Sequence, residues 1–248
     1  MDVKQVAQRA TEAFNRHDVA AIRELTAEDC TFWGAGGTTA TGREECVTAN
    51  TMWFDACSDA RITVTQLVAE GDTAAEEGDL VALDCGVILD GWQSDSGMTV
   101  GCGPLDAESL QLIEVTREAL ALGIAAAQPG GRMGDIGAAV SEHVYAARFS
   151  LLRDHGGHGI GRQMHEPPEV SNVGVRGQGT ALNPGLVLAI EPIVNAGTGA
   201  YRVRDDGWTV QTADGRRSCY FEHTVAITEA GPQVLTLRSA ERLETAPA

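Results

Sequence analysis

Leu80-Val81-Ala82-Leu83-Asp84-Cys85-Gly86-Val87-Ile88-Leu89, followed by Asp90-Gly91 and then Trp92-Gln93-Ser94-Asp95, is the stretch whose reading decides the fold. Asp-Gly between two strand-like runs is a strong signal for a two-residue hairpin turn. Such a turn sets Leu89 opposite Trp92 and Asp95 opposite Gly86. Asp84 lies two residues from Gly86, on the same face, so Asp84 and Asp95 become diagonal neighbours across the hairpin. Bare, the two carboxylates repel each other and one of them resists ionisation. A divalent cation between them lets both stay charged.

The same anomaly recurs further along. Glu191 interrupts Leu188-Ala189-Ile190-Glu191-Pro192-Ile193-Val194, and Glu222 follows Tyr220-Phe221 and precedes His223-Thr224-Val225. A carboxylate in an apolar strand is costly unless it is paired or binds a metal. The glycine-dense run Gly157-His158-Gly159-Ile160-Gly161-Arg162-Gln163-Met164-His165-Glu166-Pro167 offers an imidazole from either His158 or His165. Four carboxylates and one imidazole suit Mn, Fe, Co or Zn, and are enough for two ions if carboxylates bridge. Two such ions can activate a water and polarise a carbonyl, which amide hydrolysis requires.

Around this centre the chain reads as α+β. Helices are expected after Asp2 (Val3, Val6, Ala10, Phe14) and after Asp18 (Val19, Ile22, Leu25), then over Gly42 to Ser58. A long helix is expected from Pro104 to Gln128, and another is capped by Asp135 and runs from Ile136 to Arg148. Strands are expected at Thr31 to Trp33, Arg61 to Ala69, Leu80 to Leu89, the hairpin return to Val100, Leu186 to Val194 and Tyr220 to Thr228. Asp72 to Gly78 is the best linker candidate, and a polar tail follows Arg238.

Composition sets the outer limits. The 248 residues carry 18 Lys+Arg and 35 Asp+Glu, a formal charge of −17, which argues against nucleic-acid or anionic-membrane surfaces. No stretch approaches the roughly 18 apolar residues of a membrane helix. Met1 to Ala10 lacks the basic and apolar regions of a signal peptide. Six scattered cysteines without a C-x-x-C pair read as reduced thiols in a cytoplasmic protein.

Residues from about 78 to 237 resemble the type I methionine aminopeptidases. The matching stretches are Gly78-Asp79-Leu80-Val81 through Asp84 and Asp95, G-H-G-I-G-R at 157–162 with His165-Glu166, P-G-L-V-L-A-I-E-P-I-V-N-A-G at 184–197, D-G-W-T-V at 206–210 and F-E-H-T at 221–224. The resemblance implies the pita-bread (creatinase/aminopeptidase-like) fold and a methionyl aminopeptidase. It would release N-terminal methionine from peptides or nascent chains with a dimetal-activated hydroxide. It implies Asp84, Asp95, His158, Glu191 and Glu222 as ligands of two divalent ions, with Asp95 and Glu222 bridging. His165 would contact the substrate carbonyl, Glu191 would take the proton of the attacking water, and Trp208 would wall the pocket for the N-terminal side chain.

Departures from that pattern fall on substrate contacts rather than ligands. Gln66 stands about where the family carries a substrate-contacting histidine, and the only upstream histidine is His17. Met164 replaces a phenylalanine, and Cys219-Tyr220 replaces Ala-Gln. Residues 1–77 resemble a different family, the SnoaL-like polyketide cyclases, in Ala13-Phe14-Asn15-Arg16-His17-Asp18, Leu25-Thr26-Ala27-Glu28-Asp29, Ala40-Thr41-Gly42-Arg43-Glu44 and Val68-Ala69-Glu70-Gly71-Asp72-Thr73. The expected organisation is therefore a partial SnoaL-like α+β segment over 1–77, a metal-binding pita-bread catalytic half over 78–240, and a tail over 241–248. The alternatives are an inactive metal-binding remnant and a small-molecule module led by residues 1–77.

Overall fold

The computed structural model describes residues 3–28, 30–33, 39–51, 78–207 and 209–238. The predicted strand at Arg61 to Ala69, the end of the predicted helix beyond Thr51, nearly all of the linker candidate, Gln66, Trp208 and the tail lie outside these residues.

In the front segment, α1 (Val3–Asn15), α2 (Val19–Leu25) and α3 (Arg43–Thr51) accompany a small antiparallel pair, β1 (Thr31–Trp33) and β2 (Thr39–Thr41). Asp18 caps α2 as expected, accepting a 3.0 Å bond from the Ala21 amide. Ala13, Ile22 and Val47 form a small buried cluster of their own.

β3 (Leu80–Leu89) and β4 (Trp92–Gly101) form the expected hairpin. Its register pairs Leu89 with Trp92, Gly86 with Asp95 and Asp84 with Gly97. Asp90 and Gly91 both take positive φ, the conformation that this turn demands. The hairpin joins an antiparallel sheet with β6 (Gly156–Gly159), β7 (Glu166–Ser171), β8 (Val187–Ile190), β13 (Glu222–Thr228) and β14 (Gly231–Val234). The order is β3-β4-β13-β8-β6-β7, with β14 also on β13. β5 (Ser150–Leu151), β9 (Ile193–Asn195) and β12 (Ser218–Tyr220) make a separate three-stranded sheet, while β10 (Tyr201–Val203) and β11 (Val210–Thr212) make a hairpin.

Two helices back the main sheet, α4 (Ala107–Ala126) and α5 (Met133–Ala146). α4 starts later than Pro104, because Asp106 provides the cap and accepts 2.7 Å from the Ser109 amide. α5 starts earlier than expected. Asp135 lies inside its first turn and reaches back to the Arg132 amide at 2.7 Å, so it completes the cap from within.

The two long strands predicted at 186–194 and 220–228 are each cut in two. Proline at 192 has no amide to give a ladder, so the first breaks at Glu191-Pro192 and continues as β9 in the second sheet. The other breaks at Phe221, passing from β12 to β13. The main core lies on the helix side of the sheet, where Leu188, Ile190, Phe221, Val225 and Ile227 meet Leu112, Leu120, Ile136 and Val140. Among the described residues, none of its members precedes residue 80, and none of the front cluster follows residue 47.

Candidate metal centre

The registers settle which side chains share a face. Asp84 opposes Gly97, Gly97 opposes Glu222, and Gly86 opposes Asp95. On the far side of β13, Thr224 opposes Ala189, and Ala189 opposes His158. Partners across a ladder point to one face, and alternate residues along a strand do the same. Asp84, Asp95, His158 and Glu222 therefore all rise from the face opposite the helices. Glu191, two residues beyond Ala189, leaves β8 on that face too.

Distances follow the registers. Among the described residues, Asp95, His158 and Glu222 each offer a ligand atom within 4.8 Å of the others. Glu191 Oε1 lies 3.6 Å from His158 Nε2, and the Asp84 side chain is hydrogen-bonded with that of Asp95. His158 Nδ1 is 3.0 Å from the Gly159 carbonyl. That contact needs a proton on Nδ1, which leaves the Nε2 lone pair facing the carboxylates. His165 is exposed, with its ring tilted 60° to that of His158 and the centroids 4.4 Å apart. Trp208 lies outside the described residues.

Neighbouring groups hold these ligands in place. Thr224 Oγ1 accepts from the Asp95 amide at 2.9 Å and donates to the Asp95 carbonyl at 2.7 Å. Asn172 Nδ2 donates to the Glu191 carbonyl at 2.9 Å where the strand breaks. The loop bearing His165 is tied to the hairpin tip. Gln93 donates to the Gly161 carbonyl at 2.8 Å, Arg162 to the Asp90 carbonyl at 2.9 Å, and the Arg162 guanidinium sits 3.8 Å above the Trp92 ring.

Two glycines make space on the site face. A Cβ on Gly86 would lie 2.6 Å from Met164 Cε, and one on Gly97 would lie 2.0 Å from Tyr220 Cε1. The Tyr220 hydroxyl donates to Glu222 Oε2. Sequence reading singled out Tyr220 only as a departure and gave it no role. The only local signal was an aromatic two residues before a strand carboxylate, and nothing nearby in sequence tied it to Gly97.

Burial shapes the acidity here. It pushes Glu191 up to about 8, with help from the charges of Asp84 and Asp95. Glu222 is pushed up to about 9 by burial, then by Asp95 and Glu191. Asp95 is raised by burial as well, and burial lowers His158. Asp95 Oδ1 is buried without a hydrogen-bond partner. An orphaned carboxylate oxygen among three further carboxylates and a neutral imidazole fits divalent cations of the Mn, Fe, Co or Zn type.

Fold and site together define an α+β protein with an oxygen-rich, histidine-containing candidate metal centre. The sequence model of the metallopeptidase family M24 matches residues 2–229, and the chain belongs to that family. A methionine aminopeptidase of Clostridium perfringens is 47% identical over 167 residues, covering 67% of each chain. Methionine aminopeptidase 1 of Mycobacterium tuberculosis is 48% identical over 166 residues, 64% of this chain and 62% of that protein. The crystal structure of methionine aminopeptidase from Rickettsia prowazekii superposes with a TM-score of 0.68 at 29% identity, covering 94% of this chain and 96% of that one. The family implies divalent metals. The family match begins at residue 2 and so takes in the front segment, and no comparison bears out the SnoaL-like resemblance of residues 1–77.

Proposed function

We propose that the chain is a metal-dependent aminopeptidase that releases methionine from the N-terminus of peptides or nascent chains. The observation that carries this reading is the convergence of Asp84, Asp95, His158, Glu191 and Glu222 on one sheet face, with Asp95 Oδ1 buried and unpaired. These five residues would hold two divalent ions (Mn, Fe, Co or Zn). When bound, the ions would supply Lewis acidity for the scissile carbonyl and make an attacking water more acidic.

The remaining work falls to the chain. Glu191, held at the strand break by Asn172, is the proposed acceptor of the water proton and its donor to the departing amine. A carboxyl pushed up toward neutrality is matched to taking and giving back a proton. His165, exposed beside His158, is the proposed hydrogen-bond partner of the substrate carbonyl and of the tetrahedral oxygen formed from it. Trp208 is the proposed wall of the methionine pocket. Among the described residues no helix is long and apolar enough to cross a membrane, and Cys30, Cys46, Cys85, Cys102 and Cys219 form no disulfide with one another. A cytoplasmic setting is proposed on the cysteines.

The test is release of methionine from Met-Ala-Ser with added Mn or Co. Turnover is expected, and Glu191→Gln should lower kcat on the order of 10²–10⁴-fold. Metal-loaded protein without turnover would leave a metal-binding remnant instead. For residues 1–77 a SnoaL-like segment is a separate proposal that rests on the sequence resemblance alone. It predicts saturable binding of an apolar polycyclic ligand that Asp95→Ala does not change, and no such binding would end it.

A further inference from the structure

Tyr220 ends β12, and the chain bends at Phe221 before Glu222 opens β13. Its backbone is fixed at both ends by one hydroxyl. Thr99 Oγ1 donates to the Tyr220 carbonyl at 2.8 Å and accepts from the Tyr220 amide at 2.9 Å. The ring lies against Gly97 so closely that no other residue type fits there, since even a methyl group would lie 2.0 Å from Cε1 and 2.7 Å from the phenolic oxygen. Gly97 is the ladder partner of both Asp84 and Glu222, so the ring sits on the site face between these two carboxylates. From there the hydroxyl donates to Glu222 Oε2.

A glutamate side chain has three rotatable bonds and chooses among many rotamers. A bond from the hydroxyl of a residue whose backbone is held by Thr99 and whose ring lies against Gly97 removes most of that choice. Glu222 is 1% exposed, so no water competes strongly for the same oxygen.

We propose that Tyr220 is a positioning residue for Glu222. Its hydroxyl holds the carboxylate turned toward Asp95 and His158, so that the chain binds divalent cations more tightly than the ligands alone would. The inference rests on the metal-centre reading above and goes beyond it, because the tyrosine is itself no ligand.

Tyr220→Phe keeps the ring against Gly97 and removes only the hydroxyl. Mn²⁺ is titrated calorimetrically into dialysed wild type, Tyr220→Phe, Glu222→Ala and the double variant, and the visible absorption of each Co²⁺-loaded protein is recorded. Support is a roughly 10–100-fold weaker affinity for Tyr220→Phe, a changed Co²⁺ spectrum and an unchanged thermal midpoint of the metal-free protein. In the Glu222→Ala background the same substitution should change affinity by less than about 2-fold, since its partner is gone. Tyr220→Phe that matches wild type in affinity and spectrum overturns the inference, as does an equal loss in both backgrounds. Wild type that binds no Mn²⁺ overturns the metal-centre reading and this inference with it.

Discussion

Metal affinity should depend steeply on pH, because the proposed ligands hold protons that a cation must displace. Glu222 is pushed up to about 9 and Glu191 to about 8, against an ordinary 4.5. At ~1.4 kcal/mol per decade, burial and the neighbouring carboxylates in the metal-free fold together disfavour ionisation by on the order of 5 kcal/mol at each. Between pH 6 and 7 both carboxyls are protonated, so binding releases up to two protons. Apparent affinity then rises by up to ~100-fold over that unit, ~10-fold between pH 8 and 9, and levels off above 9. Burial lowers His158, so it adds less to the slope than an ordinary imidazole would.

Stability of the metal-free protein must move the opposite way. Both groups have folded values above their unfolded ones, so the fold holds protons that the unfolded chain gives up. Stability is therefore full below about pH 4.5 as far as these two groups go, and is lost as pH climbs through the folded values. The assay is calorimetric titration of Mn²⁺ at pH 6, 7, 8 and 9, each in two buffers of different ionisation enthalpy to count the protons released. An affinity that stays constant from pH 6 to 8, or binding without proton release, would refute the reasoning.

Other expectations are simpler to check. Gly97→Ala places a methyl group inside the Tyr220 ring's envelope, and should cost roughly 1–3 kcal/mol in denaturant unfolding while weakening Mn²⁺ binding. Arg162→Ala removes the stack on Trp92 and the bond to the Asp90 carbonyl, freeing the His165 loop; kcat should fall about 10-fold with metal content unchanged in elemental analysis. β3 ends the sheet among the described residues, with Leu83, Ile88 and Leu89 exposed, so Leu83→Lys should leave the metal content unchanged in elemental analysis.

The hairpin was fully legible, because Asp90-Gly91 fixes a register and the register fixes the face of Asp84 and Asp95. The other ligands were legible as carboxylates out of place in apolar strands, and the sheet explains why they are there. Glu191 and Glu222 stand where the chain leaves one sheet for another, at a proline and at Phe221. Those breaks were not visible, since both runs are continuous in hydrophobicity and only the missing amide of Pro192 hints at one. The start of α5 was misplaced because an aspartate three residues inside a helix and one at its cap look alike in sequence. Tyr220 was hidden for another reason. Its role depends on a glycine 123 positions earlier, on a strand whose pairing with β13 had no local signal. Trp208 and residues 52–77 lie outside the described residues.

The central claim is that the five residues form one metal centre, and counting metal tests it most directly. Protein purified without chelator and loaded with Mn²⁺ should hold one to two ions per chain by elemental analysis, and Asp95→Ala should hold fewer while keeping its fold by circular dichroism. Wild-type protein that is folded yet carries no ion, or an Asp95→Ala variant that carries as many as wild type, would contradict the account.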